Sequence, residues 1–322
     1  MRSHEPTVSI GLPVYNGERY LAETIQSILS QTYSDLELVI CDNASTDATR
    51  EICEQFAAHD HRVRYHRNPE NLGAARNYNK TLELACGKYF KWNGHDDPLP
   101  PDLLEHCVAA LERDATIAIA YGTPCPIDEH GRPTQPGPLV AARLRPRRGL
   151  ASRNPRARYF ACVAVPAGHP VGVNFGLIRR DVLRRALPLG SFVSHDLPFL
   201  AEMALRGRLE HVPEVMQYRR YHPGQGHRTH RTRAERESWF DPARATLRTS
   251  PRLRLLREHI RAIRHATTDP RLRLWCYGGT LIWFATEVGL IRPAKATMRG
   301  LYRRLKSGPR TGPGPIDSIP SA

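Results

Sequence analysis

From Val8 to Tyr121 the hydrophobic pattern changes period repeatedly, from two residues to 3.6 and back, and this alternation constrains the fold more than any other feature. Val8, Ile10 and Leu12 alternate in a short strand that ends at Pro13. Leu21, Ile25, Ile28 and Leu29 then share one helical face. Leu36 to Cys41 is an unbroken apolar run, as a strand buried on both faces requires. Ser45 or Thr46 supplies a cap for the next helix, which carries Ala48, Ile52 and Phe56 on its inner side. Val63 to Arg67 reads as a third strand, Gly73 to Cys86 as a helix stopped by Gly87, and Lys88 to Trp92 as a fourth strand. Pro101 suits the first position of a helix bearing Leu104, Val108 and Leu111, and Ile117 to Tyr121 closes the series.

Strands separated by helices imply βαβ units and a mostly parallel sheet flanked by helices, an α/β, Rossmann-like architecture. Ligands of such sheets gather beyond the carboxyl ends of the strands. The loops Pro13–Arg19, Asp42–Asp47 and Asn93–Pro98 occupy those ends, and all are rich in acids or amides. Further along, Ile127–Gly131 resembles a hairpin turn, 132–158 an Arg- and Pro-rich loop, Val173–Ile178 a strand and Leu197–Leu205 a helix. Tyr221–Arg236 reads as a basic loop, while 251–266, 270–288 and 294–306 look helical.

Charge divides the chain at the same point as the pattern. Residues 1–122 hold 11 Lys and Arg against 18 Asp and Glu, a balance of −7; the remainder hold 36 against 14, a balance of +22. The expected organisation is a ligand-binding half at 1–122, an acceptor half at 123–240, a basic helical extension at 241–306 and a flexible tail at 307–322. Arginine-favouring codons account for such a surface as well as an anionic membrane or acceptor does; nucleic acid is disfavoured, because no reader motif or stacking aromatics accompany the bases. Leu274–Ile291 is too short and too interrupted by Glu287 to span a bilayer, yet its tryptophans and flanking arginines suit an interfacial plane as well as they suit packing on the domain. The seven cysteines form no CxxC pair, and MRSHEPTVSIGL lacks a long apolar core, so a cytoplasmic setting is expected.

Two acidic groups could carry chemistry. Asp42 opens DNASTD directly after an apolar strand; an ionised carboxylate there accepts the imide N–H of a pyrimidine, although the same residues also cap helices. Asp96-Asp97 follows the fourth strand, where paired acids are costly unless solvated or bound to a cation; capping the next helix is the plainer role.

Taken in order, VSIGLPVYN from Val8, SILSQTY from Ser27, ELVICDNASTDAT from Glu37, NLGAARN from Asn71 and Asp96-Asp97 resemble the family 2 nucleotide-sugar glycosyltransferases of the GT-A fold. The resemblance covers about residues 6–122 and continues thinly to about 222. It implies an inverting enzyme that moves a sugar from a nucleoside diphosphate, UDP ahead of dTDP, to an acceptor hydroxyl in cell-surface polysaccharide, lipid-linked glycan or natural-product synthesis. Pro13, Val14, Tyr15, Asn16, Asp42, Asn43, Arg76 and Asp96 would bind the nucleotide sugar. Asp96, with His222, would hold a divalent Mn²⁺ or Mg²⁺, and Asp196 would be the base. Gly94 stands where the family's metal motif has its first acid, and His195 where many relatives have Glu. That departure keeps open a non-catalytic nucleotide- or glycan-binding protein on the same fold. Peripheral contact with the inner membrane face is a further expectation.

Overall fold

The computed structural model describes residues 5–135, 147–163, 172–225, 229, 232–240, 250–288 and 290. The expected alternation is present: β1 (Val8–Val14), α1 (Glu18–Leu29), β2 (Leu36–Asp42), α2 (Thr49–His59), β3 (Val63–Arg67), α3 (Ala74–Leu84), β4 (Tyr89–Trp92), α4 (Leu103–Arg113) and β5 (Ile117–Ile127). Beyond these lie α5 (Pro155–Val163), β6 (Leu177–Arg179), α6 (Arg180–Arg184), α7 (Asp196–Arg206), β7 (Arg208–Arg220), α8 (Arg233–Phe240), α9 (Pro251–Ala266) and α10 (Pro270–Glu287). One seven-stranded sheet has the order β3-β2-β1-β4-β6-β5-β7. It is parallel except at β6, which runs antiparallel to both β4 and β5. The mixed sheet flanked by helices is the GT-A arrangement.

Period-two patterning decides which side of β1 each residue faces. Val8, Ile10, Leu12 and Val14 enter a core with Leu21, Ile25 and Ile28 of α1 and Leu104 and Leu111 of α4. Each such fully buried aliphatic side chain contributes about 1.5–3 kcal/mol. The opposite face packs Phe90, Trp92 and Ile119 against α5, α7 and α9. On that face Gly11 is obligatory, because a Cβ there would lie 2.4 Å from Thr81 Oγ1.

Several boundaries differ from the sequence reading. β1 continues through Pro13 to Val14. Gly11 turns its backbone toward β4, where its carbonyl accepts from Asn93 N–H, so Pro13, two residues on, turns the same way. There β4 has already ended at Trp92, so the missing proline N–H costs no ladder bond. Val173–Phe175 is a short 3-10 turn, with only Leu177–Arg179 extended. Pro155–Val163 and Arg233–Phe240 are helices that begin inside the segments 132–158 and 221–236 read as loops. β7, not anticipated, pairs with the whole length of β5. The turn after Ile127 is present, closed by the bond from Asp128 N–H to Arg132 O. The expected helix at 294–306 and the tail at 307–322 lie outside the described residues.

Candidate active site

The carboxyl ends of β1, β2 and β4 bring the three acid- and amide-rich loops together. The first two brace one another. Asn16 and Ala44 hold left-handed backbone, at φ 50 and 61. Asn16 N–H donates to Ser45 Oγ at 2.9 Å, and Thr46 N–H returns to Asn16 Oδ1 at 2.9 Å. Ser45 and Thr46 therefore fasten loops together, whereas α2 starts at Thr49 with Ala48 at its cap. Tyr15 stands at this tip with an exposed ring.

Asp42 is fully buried. Its Oδ1 accepts Ser45 N–H at 2.9 Å; its Oδ2 accepts Tyr65 Oη–H at 2.9 Å and pairs with Arg67 Nε at 3.2 Å. A carboxylate offers about four lone pairs, so these three partners leave one uncommitted. Asn43 Oδ1 accepts from Asn68 Nδ2 and from Leu72 N–H, and its Nδ2 donates to Asn71. This asparagine chain sets the turn at Gly73, φ 82, that starts α3. Arg76 is exposed on the first turn of α3, with no ion pair among the described residues.

Asp96 and His222, 126 positions apart in the chain, meet: His222 Nε2 lies 3.0 Å from Asp96 Oδ2. The Tyr20 ring covers the imidazole at 4.7 Å. Against the cost of burial, the His222 hydrogen bond and the charges of His95 and Arg219 hold the Asp96 carboxyl well below the usual range. Asp97 goes the other way, because burial and the Asp96 charge both favour its proton.

Arg220, the last residue of β7, is turned away from solvent. Its side chain is 1% exposed. Its backbone N–H donates to Asp97 Oδ1 at 2.7 Å, its Nε to Asp96 O at 2.8 Å and its Nη2 to both Glu23 carboxylate oxygens at 2.7 Å. The guanidinium also lies over the Tyr20 ring, 4.6 Å from its centroid. One buried cation thus ties β7 and α1 to the loop that carries both acids. Neither Glu23 nor Tyr20 carried any sequence signal for this role; Tyr65 and Arg67 were likewise missed beside Asp42.

Gly94 explains the departure from the two-acid motif. A Cβ there would lie 2.8 Å from Asp96 Oδ1 and 2.9 Å from Asp97 Oδ2. The two carboxylates therefore converge on the space a side chain would take. Oδ1 of Asp96 and Oδ2 of Asp97 are also the oxygens left over once His222 and Arg220 are served. A hard divalent cation fits these two oxygens, with the remaining ligands left to phosphate and water. No group of three or more His, Cys, Asp or Glu side chains is arranged to hold a metal ion among the described residues. His222 Nε2 is already spent on Asp96, so in this arrangement it orients the carboxylate.

Asp196 is the first residue of α7 and follows Ser194, which holds φ 66. His195, just before it, occupies the cap and makes no side-chain capping hydrogen bond. His195 is wedged against the Phe240 ring at 5.0 Å, and α8, which contains Phe240, packs on α3. Asn79 of α3 bonds both the N–H and the carbonyl of Leu189 at 2.9 Å. These ties bring the start of α7 to the helix that bears Arg76.

The sequence matches the family model described as glycosyl transferase family 2 over residues 9–184. It is 38% identical over 148 residues to EpsE of Bacillus subtilis (strain 168), named as a glycosyltransferase, covering 44% of this chain and 53% of that protein. It is 37% identical over 126 residues to a chondroitin synthase of Escherichia coli, covering 39% of this chain and 18% of that one. The chain thus spans about half or less of these curated relatives. S. aureus TarS in complex with UDP-GlcNAc superposes at TM-score 0.61 and 16% identity, over 87% of this chain and 73% of that one. A Pyrobaculum calidifontis mannosyltransferase with GDP-Man and Mn²⁺ superposes at 0.50 and 17%, over 94% and 81%. At such identities the structural likeness speaks for the fold.

Proposed function

The chain belongs to glycosyl transferase family 2, and from that premise we propose that it inverts the anomeric centre of a UDP-sugar as it transfers the sugar to a hydroxyl acceptor in polysaccharide or related glycan assembly. A dTDP-sugar presents the same imide edge and is the next donor to try. The carrying observation is the convergence of Tyr15, Asp42 and the Asp96–His222 pair at the carboxyl ends of adjacent strands. The chondroitin synthase and the UDP-GlcNAc complex among the similar proteins support this reading.

In it, Pro13 to Asn16 wall the nucleobase pocket and Tyr15 lends its ring to the base. Asp42 spends its remaining lone pair on the imide N–H, Asn43 shapes the neighbouring turn, and Arg76 faces the phosphates. Asp96 Oδ1 and Asp97 Oδ2 would hold Mn²⁺ or Mg²⁺, which neutralises charge on the departing diphosphate. The Mn²⁺ complex of the Pyrobaculum enzyme supports such a cation. Asp196, on the first turn of α7, takes the acceptor proton while the acceptor oxygen attacks the anomeric carbon and the diphosphate leaves. Direct displacement by one base needs no covalent intermediate, and orientation of the two substrates supplies much of the rate.

A panel of nucleotide sugars, scanned for thermal stabilisation with and without Mn²⁺, tests the donor assignment. Stabilisation grows with ligand concentration over affinity, so a UDP-sugar should stand apart, and a flat panel refutes the reading. Slow release of UDP from the best donor separates the enzyme from a protein that only binds the nucleotide.

The place of action belongs to the same proposal: the cytoplasmic side of an anionic membrane. No helix among the described residues is long and apolar enough to cross a bilayer. Leu274, Leu281 and Ile282 nevertheless lie exposed on α10, with exposed Arg257, Arg261 and Arg264 on the adjoining α9. That combination suits an interfacial plane. Co-sedimentation with anionic but not neutral vesicles is the expected result.

A further inference from the structure

At the end of the sheet opposite Asp42 and Asp96, the starts of β5 and β7 frame a cleft of about 390 Å³. Arg153, Arg158, Arg206 and Arg208 line it, and none of the lining residues is acidic. Gly207 keeps its floor closed, since a Cβ there would sit 2.6 Å from that of Ala118.

The guanidinium groups are not equally engaged. Arg208 is spent on Asp114 and Glu210, both at 2.5 Å, and Arg206 on Glu202 at 2.7 Å and on His265. Arg179 lies alongside, donating to the carbonyls of Ile117 and Asp114. Arg158 is 7% exposed, yet it has no carboxylate partner among the described residues. Its Nε donates to Ala204 O at 2.6 Å and its Nη1 to Ser152 O and Arg153 O at 2.8 and 2.9 Å, which leaves Nη2. Arg158 itself lines the cleft. Burial, with the Arg208 charge adding, lowers the Arg158 pKa to about 10. Arg153 is exposed and makes no ion pair among the described residues, although its charge acts on Asp114.

Five guanidinium groups therefore share three carboxylates, and a nearly buried cation is costly unless an anion joins it. We propose that this cleft is a second ligand site, separate from the donor pocket, that takes an oxyanion of the phosphate class between Arg153 and Arg158 Nη2. Planar guanidinium forks suit such oxygens, and a phosphate would offset the excess charge left uncompensated among the described residues. The proposal does not depend on which donor the enzyme uses.

The test titrates inorganic phosphate into the full chain by calorimetry, at constant ionic strength balanced with chloride. Wild type and an Arg50→Gln control, exposed on α2 and outside both sites, should bind saturably and alike. Arg153→Glu should weaken binding roughly tenfold or more, as loss of one charged contact predicts. Arg158→Gln should do the same; if it does not fold, the exposed Arg153 variant still decides. Absence of saturable binding by wild type, or equal affinity in Arg153→Glu, overturns the proposal. A parallel arm uses phosphatidic acid vesicles. Binding that phosphate competes away and Arg153→Glu abolishes identifies a lipid headgroup, whereas binding of free phosphate alone identifies a soluble ligand.

Discussion

His222 Nε2 lies 3.0 Å from Oδ2 of Asp96, so the carboxylate keeps Oδ1 alone for a ligand. A histidine that orients a ligating carboxylate typically changes metal affinity by roughly 10–100-fold when removed. His222→Ala is accordingly expected to weaken Mn²⁺-dependent donor binding by that factor, and Asp96→Ala to abolish the metal-dependent part. Donor titrations with and without Mn²⁺ check both. Unchanged affinity in His222→Ala would remove the orienting role.

Arg220 is the structural tie behind that pair. Replacing it with Met leaves the Asp96 carbonyl and its neighbours without a donor, at a cost of roughly 3 kcal/mol once the half-exposed Glu23 is discounted. Urea midpoints measure it. A loss below about 1 kcal/mol, the worth of an exposed pair, would show that the buried cation does not hold the loop.

Gly94→Asp tests whether the missing acid could simply be restored. Its Cβ would press on both carboxylates, and a third charge would repel them. The expected outcome is a destabilisation of about 1–3 kcal/mol, typical of overpacking, with no gain in Mn²⁺ affinity. Tighter Mn²⁺ binding in this variant would mean that the loop can reopen.

For Asp196→Asn, donor binding should persist while transfer falls by roughly 10²–10⁴-fold, the usual contribution of a general base. Comparing UDP-sugar affinity with product formation separates the two effects. Normal transfer would assign the base elsewhere.

His259 gives a pH dependence away from the site. It is fully buried on α9 beside the Trp283 ring, and neither ring nitrogen has a hydrogen-bond partner among the described residues. Burial lowers its pKa from 6.5 to about 4. Below pH 6.5 the unfolded chain gains a proton that the folded chain refuses, so stability falls with pH between about 6.5 and 4. The loss is on the order of 3 kcal/mol, and His259→Phe should flatten that part of the profile in urea melts at several pH values. An unchanged acid slope would show that another group titrates there.

Alternating periods from Val8 to Tyr121 were enough to place the strands, the helices and the loops at Tyr15, Asp42 and Asp96, because each βαβ unit is specified by local patterning and packs in one hand. β7 escaped notice because RLEHVPEVMQYRR mixes exposed polar and buried positions, and it becomes a strand only by pairing with β5. The meeting of Asp96 with His222, the burial of Arg220 between them and Glu23, and the need for glycine at 94 were decided by the tertiary structure. Charges so distant in sequence acquire partners only when the sheet closes, and desolvation then sets how strongly each contact counts.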